Sequence, residues 1–109
     1  MHELSPARRR ELKARAHVLD PVVMIGGEGL SSSVLAEIDR GLKAHELIKI
    51  RARDTDRPAR EVLLEEICRS TGAQPVQHIG KIFVIFRQNP EPEERSLEIN
   101  ARRNLRRRR

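Results

Sequence analysis

Ile82-Phe83-Val84-Ile85-Phe86 is the most apolar run in the chain, five residues without one polar side chain. Its β-branched and aromatic residues suit a β-strand. Side chains alternate along a strand, so Val84 and Ile85 face opposite sides of any sheet that holds them. If that sheet is covered on both faces, both residues are core. Gly80-Lys81 reads as a tight turn, and Pro75-Val76-Gln77-His78-Ile79 alternates as the strand before it. The apolar run therefore belongs to a hairpin, and the rest of the chain has to supply the cover.

Upstream, strands and helices alternate. Ser5-Pro6 starts a helix, with Ser5 as N-cap and Pro6 at the first helical position, where a missing N–H costs nothing. This helix runs to about His17, with Leu12 and Ala16 as a narrow apolar stripe and Arg8, Arg9, Arg10, Lys13 and Arg15 around the rest. Asp20-Pro21 breaks it. Val22-Val23-Met24-Ile25 is a continuous apolar run, expected to be a strand buried on both faces. After Gly26-Gly27-Glu28-Gly29, Val34, Leu35, Ile38 and Leu42 mark a second amphipathic helix, capped by serines and fading between Gly41 and His45. Leu47–Ala52 reads as a strand with one partly wet face, carrying Lys49 and Arg51. Asp54–Pro58 is a polar turn. Ala59–Ser70 is a third helix, with Val62, Leu63, Ile67 and Cys68 expected inward and Gly72 as its left-handed cap. The order α-β-α-β-α-β-β implies an α/β domain with a four-stranded mixed sheet and three helices.

At Asn89 the character changes. Pro90, Pro92 and the acidic Glu91, Glu93 and Glu94 resemble a linker. Leu97, Ala101 and Leu105 have helical spacing, and the chain ends in arginines. The expected division is a domain over residues 1–88 and a charged tail over 89–109, flexible or helical on binding.

Several function classes are excluded by what the chain lacks. No apolar run approaches the roughly 20 residues of a membrane span. MHELSPARRR has no apolar stretch, so no secretory signal is expected in it. Cys68 is the single cysteine, which gives no internal disulfide and no cysteine-based metal framework. The expected compartment is a reducing cytoplasm. No coiled-coil pattern is present, and a monomer is expected. With 22 Lys and Arg against 16 Asp and Glu, the net charge is +6, which favours a polyanionic partner. Aromatic residues make up only 2% of the chain, so recognition by stacking bases on aromatic rings is disfavoured.

The Gly26-Gly27-Glu28-Gly29 loop is the sharpest local signal. It joins a strand to a helix N-terminus, where glycines permit close backbone approach and free N–H groups favour a phosphate. No Lys-Ser/Thr follows Gly29, so it is not a Walker A loop, and the dinucleotide-binding spacing is absent. The plain alternative is a turn that needs glycine for its shape. Glu28 opposes an anion by on the order of 1 kcal/mol if exposed at close range. Arg8, Arg9, Lys13 and Arg15 of the first helix are the second signal, suited to phosphates. His2, His17, His45 and His78 show no metal or catalytic spacing, and Glu65-Glu66 no acid–base pairing. No catalytic constellation, metal site or cofactor motif is expected, nor a small-molecule substrate.

The ordered set Leu12–His17, Asp20–Val23, Ile25–Leu30, Val34–Ile38, His45–Ile50, Thr71–Ala73, Val76–Lys81 and Val84–Arg87 resembles the YhbY-type bacterial proteins. These are stand-alone CRM domains (chloroplast RNA splicing and ribosome maturation), and the resemblance covers about residues 4 to 87. It implies a four-stranded sheet with three helices, similar to the C-terminal domain of translation initiation factor 3. It also implies RNA binding, association with precursors of the large ribosomal subunit as an assembly factor, and no catalysis. The RNA surface it implies is the GXXG loop, here Gly26, Gly27, Glu28 and Gly29, with the basic residues of the first helix beside it. Family members often carry a basic or neutral polar residue in this loop, where this chain has Gly27 and Glu28. A module for duplex DNA or a small RNA is the alternative partner class.

Overall fold

The structure is a computed structural model and describes residues 4–90. Seven elements follow in the expected order: α1 Pro6–Ala16, β1 Pro21–Ile25, α2 Ser32–His45, β2 Leu47–Ala52, α3 Arg57–Thr71, β3 Gln74–Ile79 and β4 Ile82–Phe86. The tail beyond residue 90 lies outside the described residues.

Each helix starts on a side chain that takes one of its unpaired N–H groups. Ser5 Oγ accepts from Arg8 N–H at 3.0 Å, Ser31 Oγ from Val34 N–H at 3.2 Å, and Asp56 Oδ1 from Ala59 N–H at 2.9 Å. The Asp56 cap starts α3 at Arg57, two residues before the expected Ala59. Gly72 ends α3 in the left-handed conformation at φ 76°.

The sheet order is β1-β2-β4-β3. β1 runs parallel to β2, and β4 is antiparallel to both β2 and β3. The apolar run of β4 is thus central, and both its faces are covered. On one side α2 and α3 pack Ile38, Leu42, Leu63 and Ile67 against Ile25, Ile50, Phe83 and Ile85. On the other, α1 packs Leu12 and Ala16 against Leu47, Val76, Val84 and Phe86.

Two expectations are corrected. β1 is not buried on both faces: Val23 and Ile25 lie under α2, but Val22 and Met24 are each 53% exposed. α1 is an 11-residue helix that packs on β2, β3 and β4, which leaves the other face of edge strand β1 open. Val62 does not point inward on α3 and is 57% exposed. Leu64 takes its place at the core, beside the expected Leu63, Ile67 and Cys68, so the buried stripe is rotated toward Leu64.

Candidate nucleic-acid interface

β1 delivers the chain to the Gly26–Leu30 loop at one end of the sheet. The turn closes with Gly29 N–H donating to the Gly26 carbonyl at 3.1 Å. Gly29 adopts φ 78°, where a side chain is strained. Gly26 and Gly27 differ. Neither has a left-handed angle, and a Cβ added to either would meet nothing within 4 Å. The fold therefore does not need glycine at 26 or 27; their effect is bare backbone open to solvent. Glu28 is exposed at the tip. Leu30 and Val34 pack on the core and fix the far side of the loop. The first N–H groups of α2 that Ser31 does not take point out beside it, with the positive end of the helix dipole.

Two backbone hydrogen bonds bring distant cations to this rim. Arg53 N–H donates to the Ile25 carbonyl at 2.8 Å, which puts Arg53 beside the start of the loop. Ala52 N–H donates to the Lys81 carbonyl at 2.8 Å, which puts the β3–β4 turn at the same end. Behind this rim α1 leaves part of the sheet open. The row Lys49 with Val84 and Val84 with Gln77 marks the edge of the α1 cover, with Val84 still buried beneath it. The open row is Arg51 with Ile82 and Ile82 with Ile79. Met24 of β1 pairs with Arg51 and extends the second row to the loop strand. Lys13 and His17 of α1 overhang these rows, forming an open groove of about 300 Å³. Among the described residues, Lys13, Lys49, Arg51, Arg53 and Lys81 form no ion pair.

The structure divides the basic residues of α1. Lys13 reaches the groove near the loop end of the sheet. Arg8 is held elsewhere, 2.7 Å from Glu11 and 5.2 Å over the Phe86 ring. Phe86 pairs with Leu47 at the start of β2, whereas the loop follows the pairing of Ile25 with Ala52 at its end. At about 3.3 Å per residue, some 17 Å of strand separate them. Arg9 is half-buried, and its Nε has no hydrogen-bond partner among the described residues. Arg15 lines a different groove, with Val22, His45 and Leu47. Lys49, Arg51, Arg53 and Lys81 were not singled out as site residues by their sequence. The alternation of Leu47–Ala52 placed Lys49 and Arg51 on one face, but only the strand register shows that this face opens toward the loop.

No group of three His, Cys, Asp or Glu side chains among the described residues is placed to hold a metal. Burial pushes the Cys68 thiol up to about 11, so it stays protonated at neutral pH and is a poor nucleophile. No helix among the described residues is long and apolar enough to cross a membrane.

Comparison with known proteins agrees with this architecture. The chain is 45% identical over 91 residues to "RNA-binding protein" of Haemophilus influenzae, covering 84% of this chain and 92% of that one. It is 38% identical over 89 residues to "Probable RNA-binding protein PA4753" of Pseudomonas aeruginosa, covering 82% and 86%. The solution structure of the hypothetical protein SAV1595 of Staphylococcus aureus superposes with a TM-score of 0.73 at 32% identity, covering 84% and 95%. The model of the CRS1/YhbY (CRM) domain matches residues 4–87, and this chain belongs to that family.

Proposed function

We propose that this protein binds RNA through its phosphate backbone and acts as an assembly factor on precursors of the large ribosomal subunit. The observation that carries the backbone reading is the bare Gly26-Gly27 backbone at the α2 N-terminus, with Arg53 and Lys81 on the same rim. N–H groups and the helix dipole meet one phosphate, and Gly29 gives the turn its shape. Lys13, Lys49 and Arg51 continue the positive path across the open sheet, while Arg8, Arg9 and Arg15 steer RNA toward α1. Glu28 sits at the exposed tip and turns away from the bound phosphate. The ribosomal target rests on the resemblance to the ribosome-maturation domains. On this reading the protein works as a cytoplasmic monomer and makes or breaks no bond. The domain over residues 1–88 supplies the defined contacts, and the arginines of the 89–109 tail add attraction without sequence preference.

The test is sucrose-gradient sedimentation of tagged protein from lysate, with Gly27→Asp and a deletion of residues 91–109 alongside. Gly27 has room for a side chain, so Gly27→Asp adds negative charge without disturbing the turn. Co-migration with large-subunit precursors, lost in Gly27→Asp, is expected. Loss only on tail deletion moves the interface to the arginines. A protein that stays at the top of the gradient overturns the ribosomal assignment, and competition between structured RNA and DNA of equal length then tests the partner class.

A further inference from the structure

We propose that the groove between α1 and the open half of the sheet is a pocket for one unpaired RNA base. The proposal rests on the RNA-binding reading above and adds what part of the RNA is read, and where.

The groove combines two things that a phosphate site alone does not need with a third that holds the flanking backbone. Its floor is aliphatic: Ile79 on edge strand β3 is 60% exposed and Ile82 beside it is half-buried, while Val84 closes the inner end beneath α1. The Ile79 and Ile82 surface gains from covering a base face, which every nucleobase has. Its wall carries Gln77, whose amide is both donor and acceptor and suits a base edge. Its rim carries Lys13 and Lys49, which make no ion pair among the described residues and match the phosphates on either side of a base.

The dimensions agree. α1 covers Val84, so a base lies one row further on, over the paired Ile82 and Ile79. Lys49 and Gln77 of the preceding row stand at its side, about 10 Å apart across two strand spacings. The volume of about 300 Å³ accepts one base, and α1 overhead bars a stacked duplex. In a duplex both base faces are stacked and the pairing edge is occupied, so only an unpaired nucleotide can enter. Met24, paired with Arg51, carries the Ile82 row to β1 two residues before Gly26. From β1 to Ile82 is two strand spacings, about 10 Å, so a strand with one phosphate on the loop can lay a base within a nucleotide or two of it over the groove. The scarcity of Phe, Tyr and Trp does not bar base recognition here, because aliphatic side chains form the floor, Gln77 supplies the amide and the His17 imidazole overhangs them.

The test uses a short single-stranded RNA of about twelve nucleotides, the blunt duplex it forms with its complement, and fluorescence anisotropy at fixed salt. Ile79→Ser and Gln77→Ala change exposed or half-exposed side chains, and thermal melting verifies their fold. The expected result is about a tenfold loss of single-strand affinity in each, with duplex affinity unchanged. An abasic substitution walked along the single strand gives a second readout. It should cost wild type about tenfold at one position, and cost Ile79→Ser almost nothing further there. Equal losses on single strand and duplex, or an abasic penalty that persists in Ile79→Ser, overturn the pocket. Gly27→Asp separates the two ideas: it should weaken both RNAs. If it does so while the groove variants are silent, the backbone reading stands and the base pocket falls.

Discussion

Arg87, the residue just past β4, ties three elements together. Its guanidinium donates to Asp39 Oδ1 of α2 at 2.8 Å and to the Thr71 carbonyl at the end of α3 at 2.9 Å. Its backbone N–H donates to the Glu46 carbonyl at 2.9 Å. Arg87→Ala leaves the Asp39 carboxylate and the Thr71 carbonyl without this partner, so a loss of roughly 1–3 kcal/mol is expected in denaturant unfolding at pH 7. The pH dependence has a definite sign. The Arg87 hydrogen bond, then that of Lys43, holds the Asp39 carboxyl below its usual value of 3.8. A carboxylate with a lowered folded pKa stabilises the fold above its unfolded pKa, and that stabilisation is lost as pH falls through the folded value. The window thus lies below about pH 3.8. Wild type should lose more stability than Arg87→Ala between pH 5 and pH 2.5, and parallel curves would show that the pair contributes nothing. Because Asp39 is partly exposed, the difference should shrink in added salt. None of this was legible in the sequence, since Asp39 and Arg87 are brought together only by the packing of α2 beside β4.

At the scale of elements, both β4 and β1 were legible as strands, but the open face of β1 was not, although both are continuous apolar runs. β4 has a helix layer on each side, so Val84 and Ile85 are both buried. Ile85→Ala should cost about 2–4 kcal/mol and Val84→Ala about 1–3 kcal/mol. A negligible cost at Val84 would mean that α1 does not cover β4 in solution. β1 has the same apolar character but takes the sheet edge, where α2 covers only one face. Apolar composition reports affinity for the sheet; the number of covering helices decides how many faces are dry, and that number is set by the length and placement of α1. The same limit rotated the α3 stripe, since Val62 and Leu64 flank Leu63 with equal apolar claim. α2 offers a sharper test. Gly41 sits inside the helix, where glycine is unfavourable, and its added Cβ would meet Ile48 Cδ1 at 3.4 Å, ordinary contact. Gly41→Ala should therefore raise stability by about 0.5–1 kcal/mol in thermal unfolding. A loss would mean that α2 needs closer approach to β2 than a methyl allows.

At the scale of the whole molecule, the ion pairs among the described residues are unevenly placed. On the α2–α3 side three bases are paired within their helices: Lys43 with Asp39, Arg57 with Glu61, Arg69 with Glu65. On the open side, Lys13, Lys49, Arg51, Arg53 and Lys81 have no such partners among the described residues. The loop itself was legible, because four residues between a strand and a helix suffice to mark it. The cations beside it were not, because they come from α1, from β2 and from the β3–β4 turn, and only a mixed sheet with order β1-β2-β4-β3 brings them to one rim. The net charge of +6 says that a polyanion is favoured; the uneven pairing says on which face. This distinction has a measurable form. Each cation that neutralises a phosphate adds about −0.7 to −0.9 to the slope of log affinity against log salt. Lys49→Ala, Arg51→Ala and Arg53→Ala should each flatten that slope by about this amount for RNA. Arg57→Ala and Arg69→Ala remove the same formal charge from α3, where it is already paired, and should leave the slope nearly unchanged. If all five variants flatten it equally, the protein attracts RNA by net charge alone, and the rim at the end of β1 has no special part in binding.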